Sequence, residues 1–406
     1  MAREFKNFYR TVGSNEGEKC HYPTRLDTYG CGCSHDCTYC YAKAIMEFRR
    51  KWNPKDPAVV NIAAMKRKIA QLEPGSIVRL GGLTDCFQPI EAKHRATYEA
   101  IKALNARGVG YLIVTKSAMI ADDEYMKILD RKLAHIQISI TSTDDKLAAT
   151  YEKASATSKR IEAIEKLAAA GYDVAVRLSP LIPGYYDVDV VNAIKCDKLL
   201  VEFLRYEKHI IKTFPIDWTD WTVWDDPYGH LTLEKKKELL SQLTGFKEIS
   251  VCEDCTEHYK YWRDHFNPNP NDCCNLSISK ELLEFNEQRR LSEKRLRTRV
   301  QFKLKVSFPD GTILTHKNVK ETYMATIEKI GADVVRALGI ERNGSPLITG
   351  DLSEVPDKWK PEMDRDRLSN GMCLFTHMST DAKAKTLMEI SEKTNIGFKV
   401  EYVSEP

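Results

Sequence analysis

From residue 76 onward, short apolar runs alternate with longer stretches of helical period. Runs of strand length fall at 76–80, 111–115, 136–141, 173–178 and 198–204. Between them, apolar positions recur every three or four residues over 91–107, 122–133, 158–170 and 188–194. A run at 25–29 supplies an earlier strand, and 42–52 and a stretch ending at residue 71 read as helices punctuated by Pro54 and Pro57. Six strands alternating with helices imply right-handed parallel crossovers, so the pattern predicts an α/β fold, a partial (β/α)6 barrel. In such barrels, chemistry gathers where the C-terminal ends of the strands converge.

The period breaks after residue 205. Trp218, Trp221 and Trp224 crowd an irregular segment, FPIDWTDWTVWDDPYGH, which reads either as a cover over the barrel's open side or as a base-stacking surface. A helix is expected over 231–243. The basic run 288–305 reads as a solvated helix face or a phosphate-binding stripe, and a domain boundary falls within it. Beyond it, 302–308 and 312–315 flank Pro309-Asp310-Gly311 as a hairpin. Helical patterns at 322–330, 333–338 and 381–394 and short strands at 346–349, 372–377 and 398–403 complete a small α+β module. The chain thus divides into a lead-in (1–24), a barrel (25–205), a cover with a Cys-rich segment and basic linker helix (206–297), and an accessory domain (298–406). That domain has neither metal-ligand spacing nor a Gly-rich phosphate loop, so it is expected to bind a partner or substrate.

Composition narrows the setting. A hydrophobic content of 42% over 406 residues supports ordinary cores, and a net charge of +3 demands neither nucleic acid nor an anionic membrane as partner. The chain begins without a signal-type apolar segment and has no long apolar run, so a cytoplasmic protein without a membrane partner is expected. Twelve cysteines, clustered rather than dispersed, suit metal binding in a reducing compartment.

The densest cluster is Cys33, Cys37 and Cys40, spaced C-x3-C-x2-C. Soft thiolates on a short loop suit an iron–sulfur cluster or zinc. Zinc would take a fourth ligand, from Cys31 or His35, and Cys20 in the lead-in is a more distant candidate. A second set, Cys252, Cys255, Cys273 and Cys274, forms C-x2-C-x17-CC with His258 nearby. It reads as a second metal or cluster site, as free thiols, or as a redox pair. Cys273 and Cys274 are the candidates for active-site thiols, since the NPNPN loop before them could reach the barrel mouth.

CSHDCTYC, with Tyr39 at the aromatic place, resembles the signature of radical S-adenosylmethionine (SAM) enzymes. TDCFQPIE at 84–91, VTKS at 114–117, SITSTDD at 139–145 and VRLSPLIPG at 176–184 are similar to the blocks of the spore photoproduct lyase-like, or DNA repair photolyase, branch. The resemblance implies a [4Fe–4S] cluster on Cys33, Cys37 and Cys40 whose open iron binds SAM. It also implies a one-electron reductant of flavodoxin or ferredoxin type, and a 5′-deoxyadenosyl radical that abstracts substrate hydrogen. By position, Gly81 and Gly82 approach the methionyl amine and Asp85 accepts from it. Thr115, Lys116, Ser117, Ser139 and Thr141 serve ribose hydroxyls or the carboxylate, Arg177 offers a carboxylate fork, and Tyr39 lies against cluster or adenine. Cys86 departs from the branch, where proline often stands, and is a candidate hydrogen donor. The implied substrate is a nucleobase or nucleic acid, in photoproduct lyase-like repair or modification. A peptide, tRNA or small metabolite is the alternative, and a nucleic-acid-binding or defence-associated protein with a structural metal is the reading from another class.

Overall fold

The computed structural model describes residues 4–5, 9–11, 19–48, 52–225, 228–296 and 302–404. Parts of the lead-in, residues 226–227 of the aromatic segment and residues 297–301 of the basic run lie outside the described residues. The chain forms two compact units, residues 1–295 and 296–406.

In the first unit, seven strands run parallel: β1 (Thr24–Leu26), β2 (Ile77–Leu80), β3 (Gly110–Thr115), β4 (Ala134–Ile140), β5 (Asp173–Leu181), β6 (Lys198–Phe203) and β7 (Glu248–Val251). They lie in sequence order, and Tyr9–Thr11 adds an antiparallel strand outside β1. β7 and Tyr9–Thr11 form the two edges, so the sheet is an open, partial barrel rather than a closed one. Two expectations change here. The first strand stops at Leu26, and Tyr29–Gly30 pairs instead with Ala58–Val60 in a separate small sheet. The segment expected as cover contributes β7, which was hard to find because EISV is four residues long and flanked by polar and cysteine positions.

Crossover helices pack on the outside. α1 (Tyr41–Phe48) follows the first cysteine loop, and α2 (Ile62–Ile69) is capped by the Asn61 side chain accepting from the Ala64 amide. The predicted helix over 91–107 is interrupted at Arg95, whose left-handed backbone (φ 54°) separates Glu91–His94 from α3 (Ala96–Arg107). The carboxylate of buried Glu91 accepts from the Thr97 and Tyr98 amides just past the break, so the interruption is fixed by hydrogen bonds. Only Asp123–Met126 of the predicted 122–133 helix forms an α-helix. α4 (Thr157–Ala169) and α5 (Leu233–Ser241) follow their patterns closely, and α6 (Thr256–His265) follows β7.

β4 explains the interior. All seven of its residues are buried, but the faces differ: Ile136, Ile138 and Ile140 join the main core, whereas His135, Gln137 and Ser139 alternate with them. Gln137 bonds to Arg177 of β5, and His135 Nδ1 lies 2.6 Å from Asp173 Oδ2, so this polar face looks into the barrel. The start of the barrel is plugged by residues 272–277. Lys198 Nζ donates to the Asn275 carbonyl (2.8 Å) and to Ser277 Oγ (2.7 Å), and the Ser277 amide donates to Asp173 (2.8 Å). Lys198 and Asp173 each begin a strand, so the Cys273–Cys274 loop enters from the N-terminal end of the barrel and not from its mouth as expected.

The second unit is an α+β module. Phe302–Ser307 pairs antiparallel with Ile313–Leu314 and with Lys399–Ser404, and the helices Val319–Ile330 and Thr380–Thr394 pack on a core of its own that includes Tyr323, Trp359, Phe375 and Leu387. No helix among the described residues is long and apolar enough to cross a membrane.

Candidate functional site

The loop after β1 turns three cysteines into the barrel. Its path depends on unusual backbone: Cys31 and Asp36 have φ of 56° and 42°. Gly32 passes so close to Asn53 that a Cβ there would lie 2.0 Å from its carbonyl oxygen. Neighbouring segments hold the loop by its main chain. The Ser34 amide donates to Gln88 Oε1 (2.9 Å), the Thr38 amide to the Tyr151 carbonyl (2.9 Å), and the Lys153 amide to the His35 carbonyl (2.6 Å). Cys33 and Cys37 are buried and Cys40 is partly buried. All three line one cavity of about 250 Å³. Burial, with Asp85 adding to it, pushes the Cys33 thiol up to about 12, and burial also raises Cys37 and Cys40. Such thiols stay protonated until a cation supplies the charge that water no longer does. Cys31, on the same loop, is not among the residues that line the cavity, and three soft ligands there fit a cluster with one open iron better than closed zinc. His35 also lines the cavity, with its Nδ1 lying 3.3 Å from Asp85 Oδ2.

The same cavity is walled by Gly81, Gly82, Asp85, Thr115, Lys116, Ser139, Arg177, Cys273, Cys274 and the ring of Tyr39. Gly81 has φ 76°, and a Cβ on it would meet the Thr84 carbonyl at 2.9 Å, so this turn requires glycine. The turn is anchored by Asp27, which accepts from the Gly82 amide (2.6 Å) and the Leu83 amide (3.3 Å), while Tyr41 Oη donates to the Gly82 carbonyl (2.9 Å). Neither anchor was found from sequence. Asp27 sits between a strand and the cysteine loop with no motif to mark it.

Asp85 is a brace. It accepts from Thr115 Oγ1 (2.7 Å), the Lys116 amide (2.7 Å) and the Phe87 amide (2.8 Å), tying the end of β2 to the end of β3. Burial opposes its ionisation, but His35 and these donors outweigh it and hold the carboxyl below its usual range. Arg177 likewise spends its fork internally, on Gln137 and on Glu202. Glu202 also accepts from Ser179 Oγ (2.7 Å).

Lys116 reaches across the mouth. Its Nζ donates to the Ser179 carbonyl (3.0 Å), lies 3.5 Å from Glu152 and stands 5.3 Å from the centre of the Tyr39 ring. Glu152, also missed in the sequence, accepts from the Tyr39 hydroxyl and from the buried Arg160. Tyr39 packs against Tyr151 and Phe214, each centred 5.8 Å away, so the aromatic ring of the signature clamps the loop to the barrel wall.

Three expected residues stand off the cavity wall. Cys86 is packed in the core and is not among the residues lining the cavity. Ser117 caps a short 3₁₀ turn by accepting from the Met119 amide (3.3 Å). Thr141 lies 2.9 Å from the hydroxyl of Tyr151. Local polarity was legible at all three, but the direction in which each side chain points was not. In the second thiol set, Cys255 also lies off the wall, and Cys20 takes its place beside Cys252, Cys273 and Cys274.

His230, Glu253 and Asp254 come close enough to hold a cation. Both carboxylates already face cations, Asp254 on Arg205 and Glu253 on the fully buried Lys236, so an ion there would compete with two fixed charges.

The family model of the Radical SAM superfamily matches residues 28–196. An uncharacterized protein of Mycobacterium tuberculosis (strain H37Rv) is 30% identical over 169 residues, covering 38% of this chain and 49% of the relative. One of Methanocaldococcus jannaschii is 25% identical over 169 residues, 39% of this chain and 61% of the relative. The chain thus spans about half the length of the first of these relatives. Among solved structures, spore photoproduct lyase complexed with dinucleoside spore photoproduct aligns with a TM-score of 0.44 at 18% identity, over 59% of this chain and 76% of that one.

Proposed function

Starting from a Radical SAM superfamily domain at residues 28–196, we propose that the protein is a radical SAM enzyme acting by hydrogen abstraction. Cys33, Cys37 and Cys40 would hold a [4Fe–4S] cluster. The carrying observation is that these three thiols line one cavity with the polar residues at the ends of β2 to β6. Bound there, cluster and SAM would supply reductive C–S cleavage chemistry, with the electron from a flavodoxin- or ferredoxin-type donor.

The chain's own residues bind and orient. Gly81 and Gly82 bring main chain to the cavity without side chains in the way, held by Asp27 and Tyr41. Lys116, Ser139 and Thr115 offer polar groups for the carboxylate and ribose of SAM. Asp85 and Arg177 position these donors rather than meeting ligand first, since both are saturated by protein partners. Burial of Cys33 and Cys37 would help keep water from a cluster held there.

For the substrate, the reading is a nucleobase-bearing molecule. It is supported by the aromatic hairpin, Val223–Asp225 with Tyr228–His230. Trp224 is 62% exposed and edge-on to Tyr206 at 5.3 Å, and Arg205, a cavity residue, lies 4.2 Å over the Tyr228 ring. An exposed tryptophan beside half-buried tyrosines and a guanidinium offers a stacking surface for planar bases.

Anaerobic reconstitution followed by dithionite and SAM tests the reaction. The expected product is 5′-deoxyadenosine, and Cys37→Ala should abolish both its formation and the cluster's visible absorption. A Cys37→Ala protein that still cleaves SAM would overturn the ligand assignment. Deuterium transfer into 5′-deoxyadenosine from labelled oligonucleotides, peptides and metabolites tests the substrate. Label arriving only from a peptide or metabolite would remove the nucleobase reading.

A further inference from the structure

The barrel carries a second group of thiols that the proposed SAM chemistry does not use. Cys20 comes from the lead-in, Cys252 directly follows β7, and Cys273 and Cys274 come from the plug. Cys20 lies 232 residues before Cys252, yet the four residues share one packed cluster with Tyr22, Ile77 and Leu112, and all four line the cavity that Cys33, Cys37 and Cys40 line. The Cys252, Cys273 and Cys274 sulfurs lie close enough to act on one another electrostatically. All are free thiols.

Two cations stand in this part of the cavity wall, while burial and Asp272 oppose charge on the sulfurs. Arg79 and Arg177 both wall this part of the cavity and act on the Cys274 sulfur. Arg79 Nε is buried with no hydrogen-bond acceptor. The thiol-bearing backbone is also held rigidly. Asp272 accepts from the Cys274 amide (2.9 Å), the Leu276 amide (3.0 Å) and the Tyr22 hydroxyl (2.8 Å), and Gln137 Nε2 donates to the Cys274 carbonyl (3.4 Å). That network of buried supports around a ligand set is the arrangement that tunes metal centres.

We propose that Cys20, Cys252, Cys273 and Cys274 ligate a second iron–sulfur centre inside the barrel, separate from the one at Cys33, Cys37 and Cys40. Iron is favoured over zinc by the spread of the sulfurs. A single zinc ion holds four ligands at about 2.3 Å and so requires a tight tetrahedron. Among the described residues, no three of these sulfurs lie within 4.8 Å of one another. They form an open chain, which a cluster with several irons can span and one ion cannot. Each thiol gives up its proton on ligation, and the two guanidiniums offset the charge gained. The centre would also staple the open side of the barrel: Cys252 belongs to the β7 edge, Cys20 lies just before β1 near the other edge, and Lys19 beside it already donates to Thr256 Oγ1 (3.2 Å) beyond β7.

This assignment stands apart from the SAM reading and is tested without activity. The full chain with Cys33, Cys37 and Cys40 all replaced by alanine is reconstituted anaerobically with iron and sulfide. It should retain about two to four irons per chain with matching sulfide, and a cluster EPR signal on reduction. Adding Cys252→Ser and Cys273→Ser should remove that iron, with circular dichroism unchanged. The single variants Cys20→Ala and Cys274→Ala should lower iron content several-fold, whereas Cys255→Ala should not. A triple variant that binds no iron, binds zinc in preference to iron, or forms a Cys252–Cys273 disulfide instead would overturn the proposal. Failure of SAM cleavage in the parent with iron retained in the triple variant would sink only the SAM reading.

Discussion

Glu152 shows how much a single buried carboxylate does here. It is 4% exposed and lies between Arg160, Lys116 and the hydroxyl of Tyr39. Burial disfavours its charge, but Lys116, Arg160 and Tyr39 outweigh that and lower its carboxyl to about 2, from 4.5. A depressed folded pKa means that its stabilisation is complete above the unfolded value and is lost as pH falls through the folded one. Urea unfolding from pH 5 down to pH 2 should therefore show an acid limb that Glu152→Gln flattens. At neutral pH the same variant should cost about 3–5 kcal/mol, because the Arg160 guanidinium stays buried without its partner. An unchanged acid limb would mean that the carboxylate is not ionised in the folded protein. Asp27→Ala belongs to the same scale. It leaves the Gly82 and Leu83 amides without their acceptor, at about 1–3 kcal/mol, and should raise the KM for SAM more than it lowers kcat.

At the scale of elements, the cysteine loop is positioned by its neighbours more than by its own sequence. Hydrogen bonds to Gln88 and Tyr151 and from Asn53 and Lys153 fix its main chain, and Gly32 fits only because it lacks a side chain. Gly32→Ala forces the loop away from Asn53, at a cost of about 1–3 kcal/mol for overpacking. Iron bound after reconstitution should fall with it, while the unfolding transition of residues 296–406 stays in place. Full iron loading in Gly32→Ala would show that the loop can relocate freely. The plug loop depends in the same way on the strand starts: Lys198 and Asp173 hold it through Asn275 and Ser277.

On the scale of the whole molecule, each unit has its own core, the first centred on the barrel and the second on Tyr323, Phe375 and Leu387. Calorimetry of the full chain should resolve two transitions. A chain ending at residue 295 should keep the first transition and its cluster absorption, and a single cooperative transition would contradict this independence. Whether the second unit recruits a partner or substrate is read by comparing nucleic-acid binding of the full chain with that of the shortened one.

The alternation of apolar runs and helical periods was enough, by itself, to determine the parallel barrel, because buried parallel strands and their crossover helices write themselves locally as hydrophobicity. The C-x3-C-x2-C spacing likewise marked a thiolate site, since its three ligands share one loop. Tertiary structure alone decided what joins residues from distant segments or depends on the direction of a side chain. It placed β7 at the open edge, sent Cys86 and Thr141 away from the cavity, gave Asp85 and Arg177 protein partners, and exchanged Cys255 for Cys20 in the second thiol set. Strand pairing and loop closure bring together groups up to 254 residues apart, such as Cys20 and Cys274, and no local pattern records such a meeting.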